Sequence, residues 1–308
     1  MTPERSPDSF PANVALGQSS HPNATLAQKA AVARLRAAGV ASPEHDARAL
    51  LAHVLDIPWG RLVTVDELTP EQRARYEHLV DERADRVPLQ HLTGVAGFRR
   101  LELAVGPGVF VPRPETESLV EWGLEQLRGH ERPVVVDLCA GSGAIALSVA
   151  DELPGATVYA VEREADAYAW ALRNAAGTDV RIVHADIAGV LPELAGTVDL
   201  VLANPPYIPD GARIEREVAE HDPPAALWGG SDGLDTVRVV IATAARLLRS
   251  GGRVGIEHAD LQGESVPALL RRVGGWHEVS DHRDLAERPR FATGTRATRA
   301  VEDEGVAR

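Results

Sequence analysis

After Pro114, short apolar segments typical of buried strands alternate regularly with segments of helical periodicity. The strand-like segments are residues 134–138, 157–161, 181–184, 200–203 and 254–257. Residues 144–152 and 235–248 are helical segments between them. This alternation predicts an α/β fold with a doubly wound, mostly parallel sheet, which binds ligands at the carboxyl ends of its strands. Residues 277–280 and 290–295 are predicted to close an antiparallel edge.

The region before this alternation has helical periodicity and predicts a separate small domain over residues 26–87. A first run of apolar residues at helical spacing ends at Gly39, and Pro43 begins a second run. Thr69 precedes Pro70 at the start of a third run, which is typical of an N-cap followed by a proline in the first turn. The sequence therefore predicts three helices in this domain.

Polar or glycine-rich sequence separates and flanks the two domains. Residues 88–111 contain short alternating stretches around glycines, which predicts a hairpin linker. The strand–helix alternation then fills a second domain, residues 112–298. The ends, residues 1–25 and 299–308, are polar and without periodicity, which predicts a flexible extension and tail. The extension lacks the basic and apolar segments of a secretory signal.

Charge and residue usage disfavour several classes of protein. The 45 acidic and 32 basic residues give a formal net charge of −13, which argues against binding along nucleic-acid backbones. No apolar run reaches the ~20 residues of a membrane-spanning helix. The lone cysteine, Cys139, excludes a disulfide scaffold and is interpreted as a small apolar filler. With no cluster of metal ligands, the sequence predicts no metal site. We also expect the protein to be a cytoplasmic monomer.

Residues 134–147 have the pattern of a strand, a glycine turn and the start of a helix. Gly141 and Gly143 allow the backbone to come close to a ligand. The next strand ends near Glu162, whose carboxylate can accept hydrogen bonds from both hydroxyls of a ribose. The glycine pattern also fits a dinucleotide site. However, Asp137 before the turn favours a cofactor with a cationic amino-acid end, such as S-adenosylmethionine, over a pyrophosphate.

The fourth core strand runs directly into Asn204-Pro205-Pro206-Tyr207, which we call the Asn-Pro-Pro-Tyr corner. Two prolines fix the backbone and remove two N–H donors, so the corner presents carbonyl oxygens and the Asn204 side chain. Tyr207 adds a flat face. This combination suits a planar NH2 group, which needs acceptors for its hydrogens and a surface to stack against.

Residues 137–143, Glu162 and the Asn-Pro-Pro-Tyr corner resemble the class I S-adenosylmethionine-dependent methyltransferases that modify planar nitrogen atoms. Two further stretches are more particular, residues 88–94 and residues 110–117, which read Phe-Val-Pro-Arg-Pro-Glu-Thr-Glu. Together with the corner, they are similar to the HemK/PrmC family, the peptide chain release factor glutamine methyltransferases.

The similarity extends from about Leu26 to Ala297 and covers both domains. It implies a Rossmann-like methyltransferase sheet with an antiparallel edge, beside a small all-helical N-terminal domain. The implied reaction moves a methyl group from S-adenosylmethionine to the side-chain amide nitrogen of the glutamine in the Gly-Gly-Gln motif of release factors. Release factors are then the expected partners, with no direct contact to nucleic acid or membrane, and the helical domain is expected to recognise them.

The resemblance also assigns roles to individual residues. The implied cofactor-binding residues are Asp137, Cys139, Ala140, Gly141, Ser142, Gly143, Glu162, Asp186, Ile187 and Asn204. The substrate-binding positions are Asn204, Pro205, Pro206 and Tyr207, with Arg113 as a further candidate. Two departures from the family pattern stand out. Cys139-Ala140 occupies a place where the loop commonly begins with glycine, which the turn should tolerate, and Ile187 stands where some members stack a tryptophan on adenine.

Three residues of the corner are the expected catalytic residues. A carboxamide nitrogen is a poor nucleophile because its lone pair is delocalised into the carbonyl group. We expect the Asn204 side-chain oxygen and the Pro205 carbonyl each to accept one N–H of the substrate amide, while Tyr207 packs on its plane. These contacts would hold the nitrogen in line with the methyl group and stabilise the developing positive charge. No general base is required before transfer.

Several alternatives stay open from the sequence. Arg113, Glu115 and Glu117 fit either ordinary helix initiation around Pro114 or the wall of a ligand pocket. The substrate could also be a glutamine of a ribosomal protein, or an exocyclic amino group of DNA or ribosomal RNA, although the acidic charge counts against the latter. A non-catalytic partner of the translation machinery could keep the fold without turnover, and binding of S-adenosylmethionine would distinguish it.

Overall fold

The computed structural model describes residues 23–298, and the chain divides between Asp85 and Arg86 into two compact units. Residues 1–22 of the predicted extension and all of the predicted tail lie outside the described residues. Residues 23–25 are described, and there the first helix begins at Ala24 with Asn23 as its N-cap. The domain bounds inferred from the sequence stay predictions. Within residues 23–298, every helix is too short or too polar to span a membrane.

Over its described residues, the first unit is built from three α-helices, besides the short 3₁₀ helix Trp59–Thr64. They are α1 (Ala24–Ala37), α2 (Pro43–Leu55) and α3 (Pro70–Ala84). The prediction for the start of α3 is confirmed, because Thr69 and Gln72 form a reciprocal capping box there. Leu35, Leu50 and Tyr76 are fully buried between the helices. The Tyr76 hydroxyl donates to a backbone carbonyl of α2, so its polar end is satisfied inside the core.

The second unit starts with a short helix and a two-stranded hairpin, and continues with the predicted alternation. In chain order its elements are α4 (Leu89–Thr93), β1 (Val95–Phe98), β2 (Leu101–Ala104), α5 (Glu117–Gln126), β3 (Val134–Leu138), α6 (Ala144–Glu152), β4 (Thr157–Glu162), α7 (Ala165–Asn174), β5 (Arg181–His184), β6 (Val198–Ala203), α8 (Arg216–His221), α9 (Asp235–Leu247), β7 (Leu248–Glu257), α10 (Ser265–Val273), β8 (Trp276–Arg283) and β9 (Pro289–Arg296). The hairpin is formed by β1 and β2, which pair antiparallel.

Seven strands form one sheet in the order β5-β4-β3-β6-β7-β9-β8. The first five are parallel, and β9 and β8 are antiparallel, so the predicted Rossmann-like sheet with an antiparallel edge is confirmed. The chain moves outward from β3 to β5 on one side and then returns to β6 on the other. This reversal between β3 and β6 is where a doubly wound sheet opens a crevice for ligands.

The central strands β3 and β6 are covered on both faces. Five of the six residues of β6 are fully buried, and its apolar side chains pack on two hydrophobic clusters on opposite faces. Such strands are continuous apolar runs because helices cover both sides of a parallel sheet. At one edge of this core, Asn174 of α7 accepts from the Ala104 N–H at 2.8 Å. It also donates to the carbonyls of Ala104 and Ser142, both at 3.0 Å.

Candidate functional site

A cavity of about 360 Å³ opens in the second unit at the carboxyl ends of the parallel strands. Eleven of the predicted site residues line it: Arg113, Cys139, Ala140, Gly141, Ser142, Glu162, Asp186, Ile187, Asn204, Pro206 and Tyr207. Asp137, Gly143 and Pro205 do not line it. The structure therefore brings residues from the ends of β3, β4, β5 and β6 to one concave surface.

The loop between β3 and α6 forms one wall of the cavity and has left-handed backbone at three positions. Cys139, Gly141 and Gly143 have φ values of +66°, +57° and +84°. For Cys139 this conformation costs about 1–2 kcal/mol, which a glycine would not incur. A Cβ added at Gly141 would have no atom within 4 Å, so the backbone there faces open space. The loop thus accommodates the departure at Cys139 at a modest conformational cost.

Glu162 at the end of β4 holds this loop in place. Its Oε2 atom accepts from the Gly141 N–H at 2.8 Å, and its Oε1 atom accepts from the Glu164 N–H at 2.7 Å. A carboxylate has about four acceptor sites, so these two bonds leave capacity for ligand hydroxyls. Burial raises the pKa of the nearby Cys139 thiol well above its usual value, and the charge of Glu162 adds to the shift. The thiol is therefore protonated at neutral pH, in agreement with an apolar filler.

Asp137 lies behind the loop, fully buried at the end of β3. Its Oδ2 atom accepts from the Ala146 N–H at 3.1 Å, which ties the first turn of α6 to the strand. Its Oδ1 atom has no hydrogen-bond partner among the described residues. Burial raises the pKa of this carboxyl group to about 8. A buried acceptor without a partner favours a positively charged or donating group beside it.

The Asn-Pro-Pro-Tyr corner follows β6 and lines the opposite part of the cavity. Asn204 donates from Nδ2 to the Thr116 hydroxyl oxygen at 3.2 Å, which leaves its Oδ1 atom available as an acceptor. The Tyr207 hydroxyl donates to Oε1 of Glu257 at 3.4 Å, and burial raises the pKa of Tyr207. Pro205 is buried between two lining residues, Asn204 and Pro206.

Sequence reasoning missed two polar residues at this corner, Thr116 and Glu257, which both line the cavity. Glu257 ends β7 and is buried, and its Oε2 atom has no hydrogen-bond partner among the described residues. Burial raises the pKa of Glu257 to about 7, against opposing contributions from hydrogen bonding with Thr116 and from the charge of Arg290. Glu257 could have been identified from the sequence, because it is a carboxylate at the carboxyl end of a predicted parallel strand.

The stretch around Pro114 combines the two roles that the sequence left open. The Arg113 guanidinium pairs with buried Asp222 at 2.6 Å and lies over the Phe110 ring at 4.8 Å from its centroid. Both Arg113 and Glu115 line the cavity. Glu117 instead accepts from the Arg99 N–H at 2.9 Å, which fastens the β1–β2 hairpin to α5. The first two residues therefore belong to the cavity wall, and Glu117 has a structural contact.

The cavity wall has groups that fit S-adenosylmethionine. Behind that wall, the buried Asp137 oxygen that has no partner among the described residues suits a cationic amino-acid end. On the wall itself, the Glu162 carboxylate has free acceptor capacity for a ribose. Ile187 and Val161 give an apolar surface for a flat base. Among residues 23–298, no three side chains of His, Cys, Asp or Glu are grouped so as to hold a metal ion.

Comparison with known proteins agrees with this geometry. Residues 27–94 match the PrmC N-terminal domain family, and residues 103–221 match the methyltransferase small domain family. Among solved structures, the hMettl16 catalytic domain in complex with the MAT2A 3′UTR hairpin 6 superposes with a TM-score of 0.52 at 15% identity. The alignment covers 71% of this chain and 81% of that one, and it shows the shared fold.

Two relatives are similar over most of their length. The 4-amino-L-phenylalanine/4-methylamino-L-phenylalanine methyltransferase of Streptomyces pristinaespiralis is 44% identical, over 83% of this chain and 90% of that protein. The release factor glutamine methyltransferase of Mycolicibacterium smegmatis is 50% identical, over 88% of this chain and 97% of that protein. The resemblance inferred from the motifs is confirmed: this chain belongs to the family of release factor glutamine methyltransferases.

Proposed function

We propose that this chain, acting in the cytoplasm as a monomer, methylates the glutamine side chain in the Gly-Gly-Gln motif of peptide chain release factors. The methyl donor is S-adenosylmethionine. The observation that carries the proposal is the Asn-Pro-Pro-Tyr corner, where the Nδ2 group of Asn204 is engaged by Thr116 and its oxygen is left to accept. Family membership supports the choice of a release factor as the partner.

S-adenosylmethionine supplies an already activated methyl group, so the task of this chain is to position a weak nucleophile. We assign the Asn204 Oδ1 atom and the Pro205 carbonyl to accept one N–H each from the substrate amide. Tyr207, which lines the cavity, packs against the amide plane. Two acceptors aimed at the N–H groups stabilise the positive charge that develops on nitrogen during transfer. Positioning in this way needs no proton to be removed beforehand.

We assign the cofactor to the other part of the cavity. Asp137 and the loop residues 139–143 would hold the amino-acid end, and Glu162 the ribose hydroxyls. Asp186 and Ile187, after β5, would hold the base through a polar and an apolar contact. The carboxylates of this wall, including Glu162 and Asp186, complement a cofactor that carries a net positive charge.

The decisive experiment incubates the protein with isotope-labelled S-adenosylmethionine and a purified release factor, and locates the methyl group by mass spectrometry. We expect one labelled glutamine, in the Gly-Gly-Gln motif. A release factor with that glutamine replaced by alanine is the matched control and should stay unlabelled. Label on nucleic acid or on a ribosomal protein, with none on the release factor, would contradict the proposal.

The Asn204→Ala variant tests the role of the corner. Loss of one acceptor at the reacting nitrogen should lower kcat about 10²–10³-fold, as for removal of one group of an oxyanion hole. Binding of S-adenosylmethionine, measured by calorimetry, should weaken only modestly because most of the assigned cofactor contacts come from other residues. A near-normal rate in Asn204→Ala would overturn the assignment of the corner.

A primary aromatic amine is the second candidate substrate. The relative from Streptomyces pristinaespiralis is named for 4-amino-L-phenylalanine and is 44% identical to this chain. An aromatic amine is also a planar NH2 group, so it would suit the same corner. Turnover of 4-amino-L-phenylalanine should therefore be measured beside that of the release factor. A higher kcat/KM for the small molecule would reverse our choice of substrate.

A further inference from the structure

Behind the corner, the Thr116 side chain lies between Asn204 and a buried carboxyl group, that of Glu257. Asn204 donates from Nδ2 to the Thr116 hydroxyl oxygen at 3.2 Å. The Thr116 hydroxyl also lowers the pKa of the buried Glu257 carboxyl group, to which the Tyr207 hydroxyl donates at 3.4 Å. All four residues line the same cavity. We call Asn204, Thr116 and Glu257 the amide relay.

The sheet register explains why these residues meet. Ala203 of β6 pairs with Ile256 of β7 in parallel register. Asn204 and Glu257 are the next residues along these neighbouring strands, so they project from the same edge of the sheet. Thr116 comes from the turn before α5.

The carboxylate at the end of the relay sets its direction. The Thr116 hydroxyl favours the ionised form of Glu257, which can only accept, so we take its single proton to be directed to that carboxylate. The Thr116 oxygen must then accept from Asn204, and only the Nδ2 group of Asn204 can donate. The Asn204 Oδ1 atom consequently faces away from Thr116. An amide rotated by half a turn would instead place its NH2 group against the NH2 group of a substrate amide, where two donors oppose each other.

We propose that Thr116 and Glu257 are positioning residues, which fix the Asn204 side chain so that its oxygen faces the substrate nitrogen. This inference rests on the proposed function of the corner and deepens it. It gives Thr116 a role in the site in addition to its place before the first residue of α5. Neither residue transfers a proton to the substrate, since both act through Asn204.

The relay also predicts how turnover depends on pH. The groups that face Glu257 are Thr116, Tyr207, Arg290 and Glu115. With a pKa raised to about 7 by burial, Glu257 becomes protonated as the pH falls through that value. A protonated carboxyl group can donate to Thr116, and the relay then loses its fixed direction. We expect kcat to fall as the pH drops below about 7. This decrease at acid pH should be absent from Glu257→Gln, whose kcat is lower at every pH.

The first test needs no substrate and observes the Asn204 amide directly. The sequence has four asparagines, at positions 13, 23, 174 and 204. Selective ¹⁵N-asparagine labelling therefore gives four side-chain NH2 pairs, and loss of one pair in Asn204→Ala assigns Asn204. Thr116→Val should shift this pair and speed its hydrogen exchange, and Thr116→Ser should restore it. The Asn174 pair, bound to two backbone carbonyls, is the internal control and should not move.

The second test measures methylation of the release factor by these variants. Thr116→Val should lower kcat about tenfold or more, and Thr116→Ser should stay within about threefold of the original rate. The Kd for S-adenosylmethionine and the melting temperature show whether each variant is folded. In the Asn204→Ala background, Thr116→Val should add no further loss, because the residue acts through Asn204.

Each outcome bears on one of the two proposals. An unchanged Asn204 NH2 pair in Thr116→Val, or losses that multiply in the double variant, would overturn the amide relay. If the original protein methylates no release factor, the proposed function fails. The spectroscopic test still decides the relay in that case, since it depends on the folded chain alone.

Discussion

At the end of β3, the Asp137 carboxyl group is fully buried, and one of its oxygens has no hydrogen-bond partner within residues 23–298. Burial raises the pKa of Asp137 from its ordinary value of 3.8 to about 8. Between these two values the folded chain holds a proton that the unfolded chain releases. The free energy of unfolding therefore falls as pH rises through this range, and the full stability is present only below about pH 4. A buried carboxyl group that lowers the stability of the fold at neutral pH is consistent with a residue that is retained for ligand binding.

Asp137→Asn should remove this dependence. The free energy of unfolding of the original chain should decrease by up to about 1.4 kcal/mol per pH unit from this site between pH 5 and pH 8. The variant should lack that contribution, so it becomes the more stable chain toward pH 8. Urea unfolding without ligand at several pH values measures the difference. Asp151→Asn, at an exposed position, is the control. Parallel pH profiles for the original chain and Asp137→Asn would contradict the prediction.

Residue types predicted part of the site, and neighbouring strands supplied the rest. Asn204 and Tyr207 were found because their segment has an unusual composition next to a strand. Thr116 and Glu257 were missed because their importance comes from contacts between distant segments. The pairing of Ala203 with Ile256 places Glu257 beside Asn204, and no property of either segment alone gives that register.

At the scale of elements, α7 is fastened to both the hairpin and the glycine loop by a single side chain. Asn174 makes three hydrogen bonds to backbone groups of Ala104 and Ser142. Ser142 lines the cavity, so the position of α7 is coupled to the wall that we assign to the cofactor. A loss of this fastening should therefore affect both stability and ligand binding.

We expect Asn174→Ala to lower the free energy of unfolding by about 2–3 kcal/mol, because partly buried backbone groups lose their partners. The affinity for S-adenosylmethionine should fall as well, since the carbonyl of Ser142 is released. Denaturant unfolding and calorimetry measure the two effects. Leu172→Ala, at a half-exposed position on the same helix, should change stability by less than about 0.5 kcal/mol. Unchanged stability in Asn174→Ala would refute the fastening role.

The elements themselves were largely predictable, because covered parallel strands are apolar runs bounded by turn residues. The strand predicted at residues 134–138 has the bounds observed for β3. By contrast, β7 begins at Leu248, six residues before the predicted start. The intervening Ser250, Gly251 and Gly252 have the composition of a turn, so the sequence pattern hides this part of the strand. Pairing with β6 extends it nonetheless.

At the scale of the molecule, the candidate site lies entirely in the second unit. The described residues of the first unit contain no similar group of polar side chains around a cavity. The unit formed by α1, α2 and α3 has exposed apolar side chains at Trp59 and Val63. We therefore propose that this unit contributes to recognition of the protein substrate rather than to the reaction.

Removal of residues 1–85 tests this division of roles. Arg86 is retained because its guanidinium pairs with Glu217 of the second unit at 3.3 Å. We expect KM for the release factor to rise about tenfold or more, with the Kd for S-adenosylmethionine changed by less than about threefold. Val63→Asp in the full chain, at a position that is 82% exposed, should raise KM without disturbing folding. Equal losses of both affinities after truncation would indicate a folding role instead.

The order of strands in the sheet has a consequence for how such enzymes diversify. Apart from Asn204, which is assigned to both ligands, the residues assigned to the cofactor lie at or just after the ends of β3, β4 and β5. The corner follows β6, on the other side of the reversal. Separate stretches of sequence thus encode the two halves of the cavity. Mutations after β6 can change which amine enters while the methyl donor is retained. The relative that is 44% identical and named for an aromatic amino acid agrees with such a change of substrate.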